Sequence, residues 1–161
     1  QTNSASTKTE VGKLLSKDFE TSYPSTPTSV LDMYKRILKC FYNQGLKEKE
    51  VDALADQMRI LFDDELLEAN PRDKYIEKLK QEIKEFKKSK REMMETESPK
   101  SSEVEYSTIK KEEYATVQTE LLFKEKDGYS KTFEQFIFRK DAKGNWKILG
   151  WKEVVSNETE E

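Results

Sequence analysis

Histidine is absent from the 161 residues. That removes the side chain whose ordinary pKa suits proton transfer near neutral pH, and with it the commonest transition-metal ligand. Triads of the Ser–His–Asp or Cys–His kind are excluded. The single cysteine, Cys40, can form neither an internal disulfide nor a thiolate metal cage. Its isolation is compatible with the cytosol and with secretion alike. No apolar run approaches the ~18–20 residues that a membrane-spanning helix needs. An excess of one charge sign is also missing: 29 basic residues face 32 acidic ones, a net charge of -3, so nothing draws the chain as a whole toward nucleic acid or anionic lipid. The chain opens on Gln1 rather than Met, which leads us to expect an upstream segment, where any signal peptide would lie.

What is present is charge and aromatic bulk. Charged residues make up 38% of the chain, against about 25% in an average globular domain. Aromatic residues make up 11%, which argues against disorder throughout, because a disordered chain lacks the large apolar groups that offset chain entropy. The length suits one domain with a real core.

Residues 1–10 are polar, with no apolar side chain larger than alanine, and read as a flexible tether. Residues 11–28 carry Val11, Leu14, Leu15, Phe19 and Tyr23, while Pro24 and Pro27 favour extended backbone before them. This stretch reads as an extended arm docked on the domain, which then occupies 29–156, with 157–161 as a disordered tail. Three helices are expected. The first starts near Thr28, capped by Thr26 or Thr28, presents Val30, Tyr34, Ile37, Leu38 and Phe41, and ends at Gly45 with a positive φ. The second runs from about Lys47 to Glu68. The third starts at Asn70-Pro71, with Asn70 as cap, and reaches about Met94 with Tyr75, Ile76, Leu79, Ile83 and Phe86 inward. Glu95 to Ser102 reads as a loop.

After Ser102 the apolar period becomes two, and four strands are expected near 103–112, 114–125, 130–140 and 145–155. With Asp127-Gly128 as a two-residue turn and Asp141 to Gly144 as the next, Phe123 faces Thr132, Leu121 faces Glu134, Val117 faces Phe138, Phe136 faces Leu149 and Glu134 faces Trp151. One face then carries Ala115, Val117, Leu121, Phe123, Phe136, Phe138, Leu149 and Trp151. The other still carries Leu122, Phe133, Ile137, Trp146 and Ile148. A sheet with one wet face should alternate cleanly. Either a partner covers part of the second face, the reading preferred here, or a bulge near Gly150 changes the register.

Several constellations invite chemistry and have plainer readings. Lys84, Lys87, Lys88, Lys90 and Arg91 could hold phosphate, but cations at a helix C-terminus complement its dipole, and Glu82, Glu85 and Glu92 dilute the field. Asp63, Asp64 and Glu65 lie within the second expected helix, without the glycine turn of a calcium loop, and read as a solvated face. Cys40, beside Ile37 and Phe41, reads as a buried, unreactive thiol. The Asn157-Glu158-Thr159 acceptor pattern reads as chance. Trp146 and Trp151 with Tyr34, Tyr75, Phe136 and Phe138 are core residues first and pocket candidates second. Trp151 leads the candidates, because its body is apolar and its ring nitrogen needs a partner. No cofactor and no metal is implied.

The closing run FIFRKDAKGNWKILGWKEV, a strand, a tight turn and a second strand, resembles the last hairpin of the nuclear transport factor 2-like (cystatin-like) fold. Together with SYPSTPTSVLDMYKRILKCFYNQGL and QMRILFDDELLEANP it resembles a group of secreted lipoprotein-like proteins of Gram-positive bacteria, over about residues 11 to 155. The resemblance implies an α+β fold, with three N-terminal helices packed on a curved four-stranded antiparallel sheet around a cone-shaped cavity. In such a cone the core and the cavity share a wall, so Trp151, Tyr34, Phe136, Phe138 and Tyr75 are its ligand-binding candidates. It also implies a location outside the cytoplasm, secreted or held at the membrane only through an anchor upstream of the tether. Catalytic members of the fold place an Asp–His pair, or an Asp with Tyr, inside the cone. This chain has no histidine, and its acids lie mostly on polar helix faces.

The expected function is therefore a non-catalytic binding or interaction domain. It would take a small apolar ligand or peptide in the cone, with a homodimer through the outer sheet face and no nucleic acid. The rivals are a structural dimerisation module with a filled cone, and a histidine-free enzyme of the dehydratase or isomerase type.

Overall fold

The computed structural model describes residues 9–155. The expected tether lies almost wholly outside the described residues, and the expected tail lies entirely outside them. Among the described residues the architecture is α+β: five α-helices and an open five-stranded antiparallel sheet, rather than three helices on four strands.

The arm contains a short helix, α1 (Glu10–Leu15), capped by the Thr9 hydroxyl, so it is not extended throughout. Leu14 and Phe19 are buried in the main core. Helix α2 (Pro27–Asn43) starts where Thr26 and Ser29 form a reciprocal capping box and Pro27 takes a first-turn position that needs no N–H. It ends at Gln44 with φ -101°, so no left-handed glycine is used there, and the expectation for Gly45 fails. Val30, Tyr34, Ile37, Leu38 and Phe41 are all buried.

The expected second helix is two, α3 (Glu48–Ile60) and α4 (Asp64–Ala69). Between them the backbone joins the sheet: Asp63 N–H donates to the Ile148 carbonyl and Ile148 N–H to the Leu61 carbonyl, both at 2.8 Å. The Asp63 carboxylate caps α4 by accepting the Glu65 N–H. The acidic run is thus a helix start, where negative charge meets the positive end of the dipole, and not a mid-helix face. Asn70 closes α4 through its side chain on the Leu66 carbonyl, and α5 (Arg72–Ser89) begins after Pro71. The third helix was expected to reach Met94. It stops at Ser89 because Lys90 turns left-handed, φ 56°.

The chain then enters β1 (Glu92–Met94), where the sequence pattern suggested helix, and Met93 is buried opposite Phe123. A single 3₁₀ turn (Ser101–Glu103) leads into β2 (Glu105–Ile109). Both short strands pair with the same long strand, β3 (Glu112–Glu125), which pairs on with β4 (Gly128–Lys140) and then β5 (Trp146–Val154).

The register differs from expectation at both hairpins. The first turn is Lys126-Asp127, with Glu125 opposite Gly128. Gly128 takes φ 148°, a conformation open to glycine, but uses it to open β4 rather than inside the turn. Leu121 therefore faces Thr132 and Val117 faces Phe136. The second loop holds five residues, because the Asp141 carboxylate accepts the N–H groups of both Lys143 and Asn145. That one extra residue swings Trp146 and Ile148 onto the core face, where they are buried. A bulge at Leu149 then shifts the pairing again, so that Phe136 faces Trp151. Burial by a partner is not needed to explain Trp146 and Ile148. Leu122, Phe133, Ile137 and Val154 remain half-buried on the outer face.

Candidate functional site

Between the helices and the core face of the sheet lies an open cavity of about 560 Å³, within the ~300–1,000 Å³ range of small-molecule sites. Its wall follows from two periodicities. On α2, Tyr34, Leu38 and Tyr42 recur every four residues and share one stripe; on α5, Tyr75, Leu79, Glu82 and Phe86 follow at intervals of four, three and four and share another. The sheet contributes alternate residues from one face: Leu121 and Phe123, Thr132 and Glu134, Trp151 and Glu153. Phe62 and Leu66, from the break and the helix after it, complete one side.

Aromatic rings dominate one wall. Trp151 stacks on Phe136 at 5.4 Å between ring centres, with Tyr34 at 5.5 Å and Phe62 at 6.0 Å. Phe62 meets Tyr75 edge-on at 5.9 Å. Of the five candidates, Trp151, Tyr34 and Tyr75 line the cavity. Phe136 and Phe138 are fully buried and do not line it; Phe136 supports Trp151 and Tyr34 from behind. Trp151 keeps 38% of its surface exposed.

The polar groups fall into two sets. The first is committed. Tyr42 donates to Glu82 Oε1 at 3.2 Å, and Tyr75 to the Met58 sulfur at 3.2 Å. Arg91, delivered inward by the left-handed Lys90, lies over Phe86 and Phe123 at 4.6 and 4.7 Å and is ion-paired with Glu125 at 3.1 Å, although its buried Nε makes no hydrogen bond. The second set is not committed. Tyr34 is 5% exposed, and its hydroxyl makes no hydrogen bond among the described residues. The titratable groups whose charges it feels, Tyr75, Glu134, Tyr42 and Glu82, all line the same cavity. Glu134 and Glu153 stand directly opposite each other across β4 and β5, and neither makes an ion pair or hydrogen bond among the described residues.

Burial pushes the Tyr34 hydroxyl well above its ordinary pKa and the Tyr75 hydroxyl up to about 12. Burial, joined by the charge of Glu153, also raises the Glu134 carboxyl. At neutral pH the site offers protonated phenols, aromatic faces and two acids, Glu134 half-buried and Glu153 exposed, that lack a protein partner among the described residues. Glu134 and Glu153 are not among the residues expected to form a site, and Arg91 is expected only as part of the basic end of the third helix. The signal for the acids is a pair of like charges opposed on a core face, visible only once the bulge at Leu149 is placed.

Elsewhere the charged clusters are ordinary. Lys84, Lys87, Lys88 and Lys90 are exposed at the end of α5. Cys40 is 2% exposed, and burial pushes its thiol up to about 11. Among the described residues no cluster of acidic, cysteine or histidine side chains could hold a metal ion, and no helix is long and apolar enough to cross a membrane.

No curated protein and no solved structure matches the chain. A family model described as Domain of unknown function (DUF6715) matches residues 1–151, and the chain belongs to that family.

Proposed function

We propose that this chain is a non-catalytic binding domain of the nuclear transport factor 2-like kind, whose cavity takes a small, largely apolar ligand or a peptide side chain. The observation that carries the reading is the open aromatic cavity, with Tyr34 in its wall and the Tyr34 hydroxyl making no hydrogen bond among the described residues. A filled core of this size would not leave that volume. A thermal-shift screen against lipids, sterols, cell-wall fragments and short peptides tests it. A ligand at about a hundred times its dissociation constant adds about 2.7 kcal/mol, a rise of roughly 5–10 °C for a domain of this size. A flat screen returns the chain to the structural reading.

The setting we propose is outside the cytoplasm at the membrane surface, and it rests on the resemblance of residues 22–46, 57–71 and 136–154 to lipoprotein-like proteins. Protease added to intact cells should cleave the full gene product there; complete protection would end that part of the reading. A homodimer through the outer sheet face is a second proposal, supported by Leu122, Phe133, Ile137 and Val154, which stay half-buried. Sedimentation of wild type against Phe133→Lys decides it: a dimer that the substitution splits supports the face, and a monomeric wild type removes it.

A further inference from the structure

We propose that the cavity selects an organic cation: an apolar body seated on Trp151, Phe62 and Tyr34, carrying a protonated amine that meets Glu134 and Glu153. The inference rests on the binding-domain reading above and names its ligand class. Three observations converge on it. Glu134 and Glu153 face each other on the core side of β4 and β5 with no cation paired to either among the described residues. Opposed like charges destabilise a sheet, and a positive group between them reverses the sign of that interaction. Tyr34 supplies the second element, a hydroxyl in a residue 5% exposed, lining the same cavity and making no hydrogen bond among the described residues. Its oxygen can accept from an ammonium N–H while its ring presents a negative face. Trp151 supplies the third, an indole partly open to the cavity and backed by Phe136. Aromatic faces attract cations through the ring quadrupole, indole most strongly.

The cavity also contains cations, and their placement argues against an anionic ligand. Arg91 is ion-paired with Glu125 at 3.1 Å and covered by the faces of Phe86 and Phe123, so its charge is already opposed, although its buried Nε makes no hydrogen bond. Lys78 is exposed at the cavity wall, where solvent screens its charge. Glu153 is exposed like Lys78, so the selection rests mainly on Glu134, which is half-buried and unpaired among the described residues; a charge removed from water interacts more strongly than one left in it.

Titration calorimetry at low salt and neutral pH, with three probes of one shape, tests the inference: phenethylammonium, 2-phenylethanol and 3-phenylpropionate. The cation should bind at least about tenfold more tightly than the alcohol, since a charge-assisted hydrogen bond outweighs a neutral one by that much. The carboxylate should bind most weakly. The double variant Glu134→Gln with Glu153→Gln should lose the preference for the cation and keep the affinity for the alcohol, and Tyr34→Phe should reduce it in part. Tightest binding by the carboxylate, or a preference that survives the double variant, overturns the inference while leaving the binding domain intact. Silence toward all three probes and in the thermal screen overturns both. If the double variant does not fold, the order of the three probes on the wild-type chain decides alone.

Discussion

Two tyrosines differ in one respect that makes them a matched pair. Tyr23 donates its hydroxyl to the Trp146 carbonyl at 2.8 Å, tying the arm to the start of β5. Tyr34, equally aromatic and more deeply buried, donates to nothing among the described residues. Removing a hydroxyl that makes a good hydrogen bond costs about 0.5–1.5 kcal/mol and leaves the carbonyl short of a partner. Tyr23→Phe should therefore lose about 1 kcal/mol, a fall of roughly 2–4 °C in melting temperature for a domain of this size. The Lys147 ammonium over the Tyr23 ring, at 4.8 Å, survives the change and does not enter the difference. Tyr34→Phe removes a hydroxyl that makes no protein hydrogen bond among the described residues, from a side chain in the cavity wall. It should be neutral or gain up to about 1 kcal/mol, depending on how well cavity water serves the hydroxyl. Urea unfolding of both variants at one pH, with unchanged slopes, gives the comparison directly. The reasoning predicts opposite or clearly unequal signs. If Tyr34→Phe loses as much as Tyr23→Phe, the hydroxyl holds a protein partner and the argument for a ligand in the cavity loses its strongest support.

Three further outcomes follow from other parts of the chain. Lys110 and Lys111 close the β2–β3 hairpin at φ 51° and 70°, where a two-residue turn favours Asn-Gly; Lys110→Asn with Lys111→Gly should raise stability by about 1 kcal/mol in thermal melts. Burial pushes the Asp63 carboxyl up, but the hydrogen bonds and charge of Arg139, at 2.7 Å, and the Glu65 N–H outweigh it and hold the pKa below its ordinary 3.8. Its contribution is then complete above 3.8 and lost as pH falls through the lower folded value, so Asp63→Asn should be less stable at neutral pH, with the deficit shrinking in strong acid. Glu134 has the opposite sign: its raised pKa means that its charge opposes folding above the folded value. Glu134→Gln should therefore stabilise the ligand-free chain at neutral pH and lose that advantage in acid.

The physical reasons for what the sequence discloses are local. The α+β order is legible because the apolar period changes after Ser102, and the start of α2 is legible because Thr26 and Pro27 are a cap and a first-turn residue. The break between α3 and α4 is hidden because Leu61, Phe62 and Leu66 continue the helical stripe through it, although Asp63 followed by two acids is a helix-start signature. Strand β1 is hidden because Lys90, without the usual glycine, takes the left-handed turn that ends α5. In the second hairpin a longer loop and a bulge act in opposite directions. Trp151 reaches the expected face, while Trp146, Ile148 and Leu149 exchange roles. The aromatic side of the site follows from spacing, so Tyr34, Tyr75 and Trp151 are readable. The acidic side depends on register, and the assumed register set Glu134 against Trp151 instead of Glu153.

The central claim is that a ligand occupies the aromatic cavity, and Trp151 reports on it most directly. In a Trp146→Phe chain Trp151 is the sole tryptophan, since the sequence holds two, and its emission can be followed while the strongest stabiliser from the thermal screen is titrated. The account predicts a saturable change in Trp151 emission with a midpoint matching the affinity that the thermal shift implies. A stabiliser that leaves the emission unmoved would place binding elsewhere, and a screen that yields no stabiliser would contradict the claim outright.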